Sequence, residues 1–255
     1  MHENERWSAA GAFVVFGGTG GIGGAVVQAL ADRGARVLVA ARRPERAGTG
    51  SRRDGVEPFA CDVTEPGAVE AALEQATAIA DGAPPAGIAL CVGSILLKPA
   101  HLTTDEEWDQ VLAVNLGAAF RVARAAGKTM RSGGSVVFCS TAAAAVGLPN
   151  HDAIAAAKAG VEGLARSAAA TYAARGLRFS CVAPGLVDTE LAAAITGNER
   201  ALATSRAMHP LGRIGVPADV ASAIVWLLDP TNSWTSGSVL RVDGGLAQLR
   251  SAPRA

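Results

Sequence analysis

Val14-Val15-Phe16-Gly17-Gly18-Thr19-Gly20-Gly21-Ile22-Gly23 decides the architecture of this chain. Three apolar residues suited to a buried strand run directly into glycines at GxxxGxG spacing, Gly17, Gly21 and Gly23, and then into an Ala/Val/Leu segment of helical spacing. Glycine permits the tight turn, lets the backbone approach a pyrophosphate, and leaves amides free at the positive end of a helix. A glycine cluster also makes a plain strand-to-helix turn. Its place at the first βα junction, with a second strand-like run at the expected distance, favours a dinucleotide cradle built from Gly17, Thr19, Gly20, Gly21, Ile22 and Gly23.

Outward from that junction, short apolar runs alternate with longer helical segments, the pattern of βα units around a buried parallel sheet. Strands are expected over Phe13–Phe16, Val37–Ala40, Pro58–Cys61, Ile88–Val92, Ser135–Cys139, Arg178–Val182 and Val239–Val242. Helices are expected over Gly21–Arg33, Pro66–Ala80, Glu106–Met130, Asp152–Ala174 and Pro217–Leu228. This predicts a single α/β domain over residues 11–247, a doubly wound seven-stranded parallel sheet with helices on both faces, between tails 1–10 and 248–255. Two stretches read as irregular: Arg43 to Gly55 as a mobile connection, and 188–216, interrupted by Gly197-Asn198, Pro210 and Gly212, as a lid over a ligand.

Among 255 residues, 23 Lys+Arg balance 23 Asp+Glu, so the chain lacks the charge of a nucleic-acid binder or a polybasic membrane anchor. The expected partners are a hydrophobic small molecule and other subunits, in a homo-oligomer. Cys61, Cys91, Cys139 and Cys181 are far apart in sequence, unlike paired zinc ligands, and read as small buried hydrophobes with no metal site. Met1 to Ala10 lacks the apolar core of a signal peptide, and the uncharged stretch 83–97 contains Pro84-Pro85, so no membrane span and a cytoplasmic location are expected.

After the second strand the chain reads Ala40-Ala41-Arg42-Arg43, with no carboxylate for a ribose 2′-hydroxyl. Two arginines suit a 2′-phosphate, which favours NADP over NAD; a solvated arginine pair is the alternative. Asp62, before Val63, suits either the adenine amino group or a turn.

Taken together, the chain from about Ala12 to Leu246 resembles the short-chain dehydrogenase/reductase family, with a Rossmann-like fold. The resemblance rests on Gly17, Gly21 and Gly23, Asp62-Val63, Asn115, Lys158, Pro184-Gly185-Leu186-Val187-Asp188-Thr189 and Val242-Asp243-Gly244-Gly245. It implies nicotinamide-dependent oxidoreduction, with the Pro184, Gly185, Val187 and Thr189 segment at the nicotinamide, Lys158 on its ribose, and Gly93 at the cofactor, where the family's Asn-Asn-Ala-Gly reads Leu90-Cys91-Val92-Gly93. The family's Asn-Ser-Tyr-Lys set maps onto Asn115, Thr141, Ile154 and Lys158, so the proton-donating tyrosine position holds isoleucine. Tyr172, the single tyrosine, lies too far along to replace it.

His151 precedes Lys158 by seven residues, about two turns at ~3.6 residues per turn, and an imidazole with pKa near ~6.5 is a suitable acid. It can equally be a loop residue beside Pro149 and Asn150. Three readings follow: an NADPH-dependent reductase of a ketone, enone, quinone-like or aromatic polyketide substrate with His151 or the substrate as proton source; an inactive subunit paired with an active relative; or a redox-neutral lyase, isomerase or cyclase.

Overall fold

β1 (Ala12–Phe16) is buried along its whole length, because successive side chains enter two different cores. Val14 and Phe16 face one side, Phe13 and Val15 the other. The computed structural model describes Trp7, residues 11–46 and residues 54–250. Trp7, within the expected tail, is fully buried, its ring centroid 5.3 Å from that of Phe13.

The other strands are β2 (Arg36–Ala41), β3 (Val56–Ala60), β4 (Gly87–Leu90), β5 (Gly134–Cys139), β6 (Leu177–Pro184) and β7 (Val239–Val242). All pair in parallel, in the order β3-β2-β1-β4-β5-β6-β7. The sequence therefore predicts the sheet correctly, strand for strand.

Helices α1 (Gly21–Ala31), α2 (Ala68–Ile79), α3 (Asp105–Leu112), α4 (Ala118–Thr129), α5 (Asp152–Tyr172), α6 (Glu199–Met208) and α7 (Pro217–Leu228) connect them. α2, α4 and α5 cover the face that holds Val14, Leu38 and Phe138. α1 and α7 cover the face that holds Val15, Val39 and Val182. The strand order reverses between β1 and β4, which opens a crevice at the carboxyl ends of the strands.

Two helical regions differ from expectation. The helix read as Glu106–Met130 is divided by a π turn at Ala113–Gly117, where the Ala118 amide bonds to the Ala113 carbonyl five residues back. The stretch 188–216 is more regular than its composition suggests. Gly197-Asn198 looks like a break, but Asn198 Oδ1 accepts the Ala201 amide at 2.9 Å and starts α6. α6 buries none of its residues, so it carries no apolar periodicity to read.

In the stretch read as Arg43 to Gly55, Pro44–Arg46 forms a 3-10 turn, and residues 47–53 lie outside the described residues. Among the described residues no helix is long and apolar enough to cross a membrane. On α5, Ala153 and Ala157 pack with Val111, and Gly160 faces Leu116, while Ala156 is exposed.

Candidate active site

β1 ends at Phe16, and Gly17 turns the chain with φ +77°. A Cβ there would lie 3.0 Å from the Cys91 carbonyl carbon, and one on Gly23 would run into the Gly17 carbonyl oxygen. Packing alone requires these two glycines. Gly20 and Gly21, by contrast, are exposed. The α1 N-terminus above them has no side-chain cap and no acid in its first turn. A helix end with uncapped amides and no competing carboxylate is complementary to an anion. Thr19 and Ile22 are half-buried beside it, and Thr189 closes from the opposite side, its Cγ2 2.7 Å from where a Gly21 Cβ would stand.

At the carboxyl ends of β4, β5 and β6 lies a cavity of about 160 Å³. Into it the fold brings Ile22, Gly93, Asn115, Thr141, His151, Ile154, Lys158, Pro184, Gly185, Val187 and Thr189, residues spread over most of the chain. Lys158, in the second turn of α5, is 7% exposed and its Nζ donates to the Cys139 carbonyl at 2.8 Å. Burial holds its amine below the usual lysine range, against the opposing pull of the Cys139, Cys181 and Cys91 thiols. A Cβ on Gly93 would meet Asn115 Oδ1 at 3.0 Å and Lys158 Nζ at 3.4 Å, so this position must stay small.

Asn115 occupies the π turn and is 1% exposed. Its Nδ2 donates to the Val111 carbonyl and to Ser94 Oγ, both at 3.0 Å, while Oδ1 accepts the Ser94 amide at 3.3 Å. Thr141 ends the turn after β5; its Oγ1 accepts the Ala143 amide at 3.3 Å, which leaves the hydroxyl hydrogen for another acceptor. Asn150, with φ +63°, turns the chain into α5 and places His151 at its N-cap. His151 Nδ1 lies 2.8 Å from the Pro149 carbonyl, which assigns the neutral ring's proton to Nδ1.

Ile154 is 5% exposed and gives the cavity an apolar wall. Tyr172 is the last residue of α5, about 21 Å from Lys158 at ~1.5 Å per residue, and packs on Phe179 with a 5.7 Å centroid distance.

The arginines and Asp62 stand at the other end of the crevice. Arg42 and Arg43 follow β2 and are exposed. Asp62 Oδ1 accepts the Thr64 amide at 2.9 Å and the Thr64 hydroxyl at 2.6 Å, the turn role that the sequence leaves open. Those bonds, aided by the Arg42 and Arg121 charges, hold its carboxyl below the usual range. Val63 is buried behind it.

Two residues that the sequence leaves without a role, His209 and Ser140, acquire partners in the fold, and the reading of all four cysteines as buried hydrophobes is corrected at Cys91 and Cys139. His209 is 3% exposed; its Nδ1 donates to the Ser205 carbonyl at 2.6 Å and its Nε2 accepts the Leu186 amide at 3.2 Å, tying α6 to the Pro184–Thr189 segment. Ser140 Oγ donates to the buried Glu162 at 2.7 Å and joins β5 to α5 beneath Lys158. Cys61 and Cys181 are buried, their thiols pushed up to about 11 and about 12 chiefly by burial, but Cys91 and Cys139 are half-buried in the cavity wall. Ile95 and Leu191 also line the cavity.

Over residues 17–247 the chain matches a protein family described as Enoyl-(Acyl carrier protein) reductase. It is 35% identical over 237 residues to the 3-oxoacyl-(acyl-carrier-protein) reductase MabA of Mycobacterium tuberculosis, covering 91% of each chain. It is 36% identical over 238 residues to the cis-4-hydroxycyclohexanecarboxylate dehydrogenase of Sinomonas cyclohexanicum, covering 91% of this chain and 94% of that one. Among solved structures, a short-chain type dehydrogenase/reductase from Mycobacterium ulcerans superposes with a TM-score of 0.88 at 29% identity, over 94% of this chain and 90% of that chain.

Proposed function

Because the chain belongs to the short-chain dehydrogenase/reductase family, an oxidoreductase family, we propose that it is an NADPH-dependent reductase of a hydrophobic ketone, enone or quinone-type substrate whose proton comes from His151 in place of a tyrosine. The supporting observation is the cavity itself: Asn115, Thr141, His151 and Lys158 line it together with Pro184 and Thr189, and Ile154 stands where the family resemblance expects the phenol.

NADPH, when bound, supplies the hydride. The uncapped α1 amides and the exposed Gly20-Gly21 edge suit its pyrophosphate, and Arg42 and Arg43 suit the 2′-phosphate. Lys158, held by the Cys139 carbonyl, takes the nicotinamide ribose, and Pro184, Gly185, Val187 and Thr189 hold the ring's amide end. Asn115 keeps the Ser94 loop in place.

Thr141 donates its free hydroxyl hydrogen to the substrate oxygen. With Nδ1 engaged by Pro149, His151 gives its proton from Nε2 when the ring is charged. An enone or quinone spreads the arriving charge, so its acid need not press against one oxygen. The apolar mouth, with Ile95 40% and Leu191 56% exposed, suits a hydrophobic molecule, with residues 188–216 acting as the lid.

Fluorescence titration with NADPH and with NADH, followed by NADPH oxidation with a panel of enones, quinones and simple ketones, tests this reading. Tighter binding of NADPH and turnover of a panel member are expected. Absence of NADPH binding, or binding with no turnover across the panel, refutes it.

A further inference from the structure

Cys91 directly follows β4 and Cys139 is the last residue of β5, and the two strands are hydrogen-bonded neighbours in the sheet. The register pairs Leu90 with Phe138, so the next residue on each strand is a lateral partner whose side chain points to the same face. Adjacent strands run about 4.8 Å apart, inside the ~4.4–6.8 Å Cα window that a disulfide needs. The two sulfurs lie 4.0 Å apart, both half-buried and both in the wall of the cavity that reaches solvent. Neither thiol has a part in the hydride chemistry described above, although the Cys139 carbonyl holds Lys158. Cys61 and Cys181 are buried and neither borders this cavity.

We propose that Cys91 and Cys139 form a redox-sensitive dithiol in the active-site wall, which a hydroperoxide converts to an intramolecular disulfide that loosens the Lys158 anchor. The Cys139 sulfur is the attacking one: its hydrogen bond with Cys91 and the Lys158 charge hold its thiol below the usual range, while the same bond and burial hold Cys91 well above it.

The Cys139 thiolate attacks one peroxide oxygen and the O–O bond breaks. A sulfenic acid forms on Cys139, and the departing oxygen takes the proton given up by the Cys139 thiol and leaves as water from hydrogen peroxide, or as the alcohol from an alkyl hydroperoxide. The Cys91 sulfur then attacks the Cys139 sulfur, the S–S bond forms, the S–O bond breaks, and the sulfenic hydroxyl leaves as water with the Cys91 thiol proton. Two thiols are oxidised and one hydroperoxide is reduced. The sulfurs must approach from 4.0 Å to about 2.05 Å, which pulls on the Cys139 backbone whose carbonyl holds Lys158 Nζ. A disulfide in the wall of a cavity that reaches solvent is accessible to thiols, so a small dithiol should reverse the change.

The test treats the full chain with hydrogen peroxide, alkylates it under denaturing conditions, and maps peptides without reduction. The expected product is a peptide pair linked through Cys91 and Cys139, with Cys61 and Cys181 still alkylated, and with the link removed by dithiothreitol. In Cys91→Ala, and in the more conservative Cys91→Ser, no link forms and dimedone traps a sulfenic acid on Cys139. Unlinked oxidation of wild type, links through Cys61 or Cys181, or four untouched thiols overturn the proposal.

Each protein is also titrated with NADPH before and after oxidation and compared with its own reduced form. Oxidised wild type should bind about tenfold more weakly, in the usual range for two coupled sites. A mapped disulfide with unchanged NADPH affinity overturns the link to Lys158. A reduced protein that binds no NADPH refutes the proposed reductase instead, because the peptide map stands independently of it.

Discussion

The two ends of the crevice are built by different means. On the β1 side the backbone is the site: Gly17 turns at φ +77°, Gly23 sits against the Gly17 carbonyl, and the α1 N-terminus presents amides with no cap. On the β4 to β6 side the side chains are the site: Asn115, Thr141, His151 and Lys158 reach one cavity from separate elements. A backbone site tolerates almost no substitution, since adding one carbon closes it. A side-chain site can exchange one group and keep its shape, and Ile154 fills a wall of the cavity while Lys158 beside it keeps its anchor.

The largest expected effect tests the backbone end. Gly23→Ala forces its Cβ onto the Gly17 carbonyl, so NADPH binding should be abolished and the chain destabilised by about 3 kcal/mol, the upper range for overpacking. A denaturant melt and a titration read both; an unchanged midpoint would show that the turn yields more easily than the packing implies.

His151→Ala probes the other end. Turnover should fall about a hundredfold, the lower range for loss of a general acid, with NADPH affinity retained. An equal rate would dismiss His151. The companion change Ile154→Tyr should raise the rate of simple-ketone reduction above that of the parent chain in the same assay.

His209→Phe lies between the two ends. It removes the acceptor of the Leu186 amide, so the KM for NADPH should rise several-fold, about 1 kcal/mol for a lost hydrogen bond, with melting less affected. A change confined to stability would leave His209 a role in folding alone.

The smallest effect is expected at Asp219, which accepts the Val216 amide at 2.8 Å and pairs with Arg213 at 2.6 Å. The Arg213 hydrogen bond, the Val216 amide and the Arg213 charge lower its carboxyl to about 2. A depressed carboxyl stabilises the fold above its unfolded pKa near ~4 and loses that contribution as pH falls through about 2. Asp219→Asn should cost about 1 kcal/mol at neutral pH, and the gap from wild type should narrow on acidification. Melting curves at several pH values decide this, and a gap that persists at low pH would assign it to geometry alone.

The backbone end was the more legible in sequence. Gly17, Gly21 and Gly23 announce themselves by spacing, because a turn plus a close approach admits few other residues. The seven strands and their parallel pairing followed from seven buried runs separated by helical segments, since a parallel sheet needs long crossovers. The side-chain end was legible only in part. Lys158, Asn115 and Thr141 were visible through the family resemblance, but the Asn115 π turn, the His209 bridge and the capped α6 were not, since each depends on contacts between distant segments. The Cys91–Cys139 pairing was not legible either, because it depends on the register between β4 and β5, which only the folded sheet sets.

By itself the sequence determined the sheet, the helices that cover it and the glycine turn, because periodicity and backbone freedom are local properties of the chain. Tertiary structure alone decided which groups share the cavity, that Lys158 rests on the Cys139 carbonyl, that Asp62 is bound into a turn, and that two cysteines face each other. Distances of 3 to 4 Å between residues dozens of positions apart are set by packing, and no spacing rule along one chain contains them.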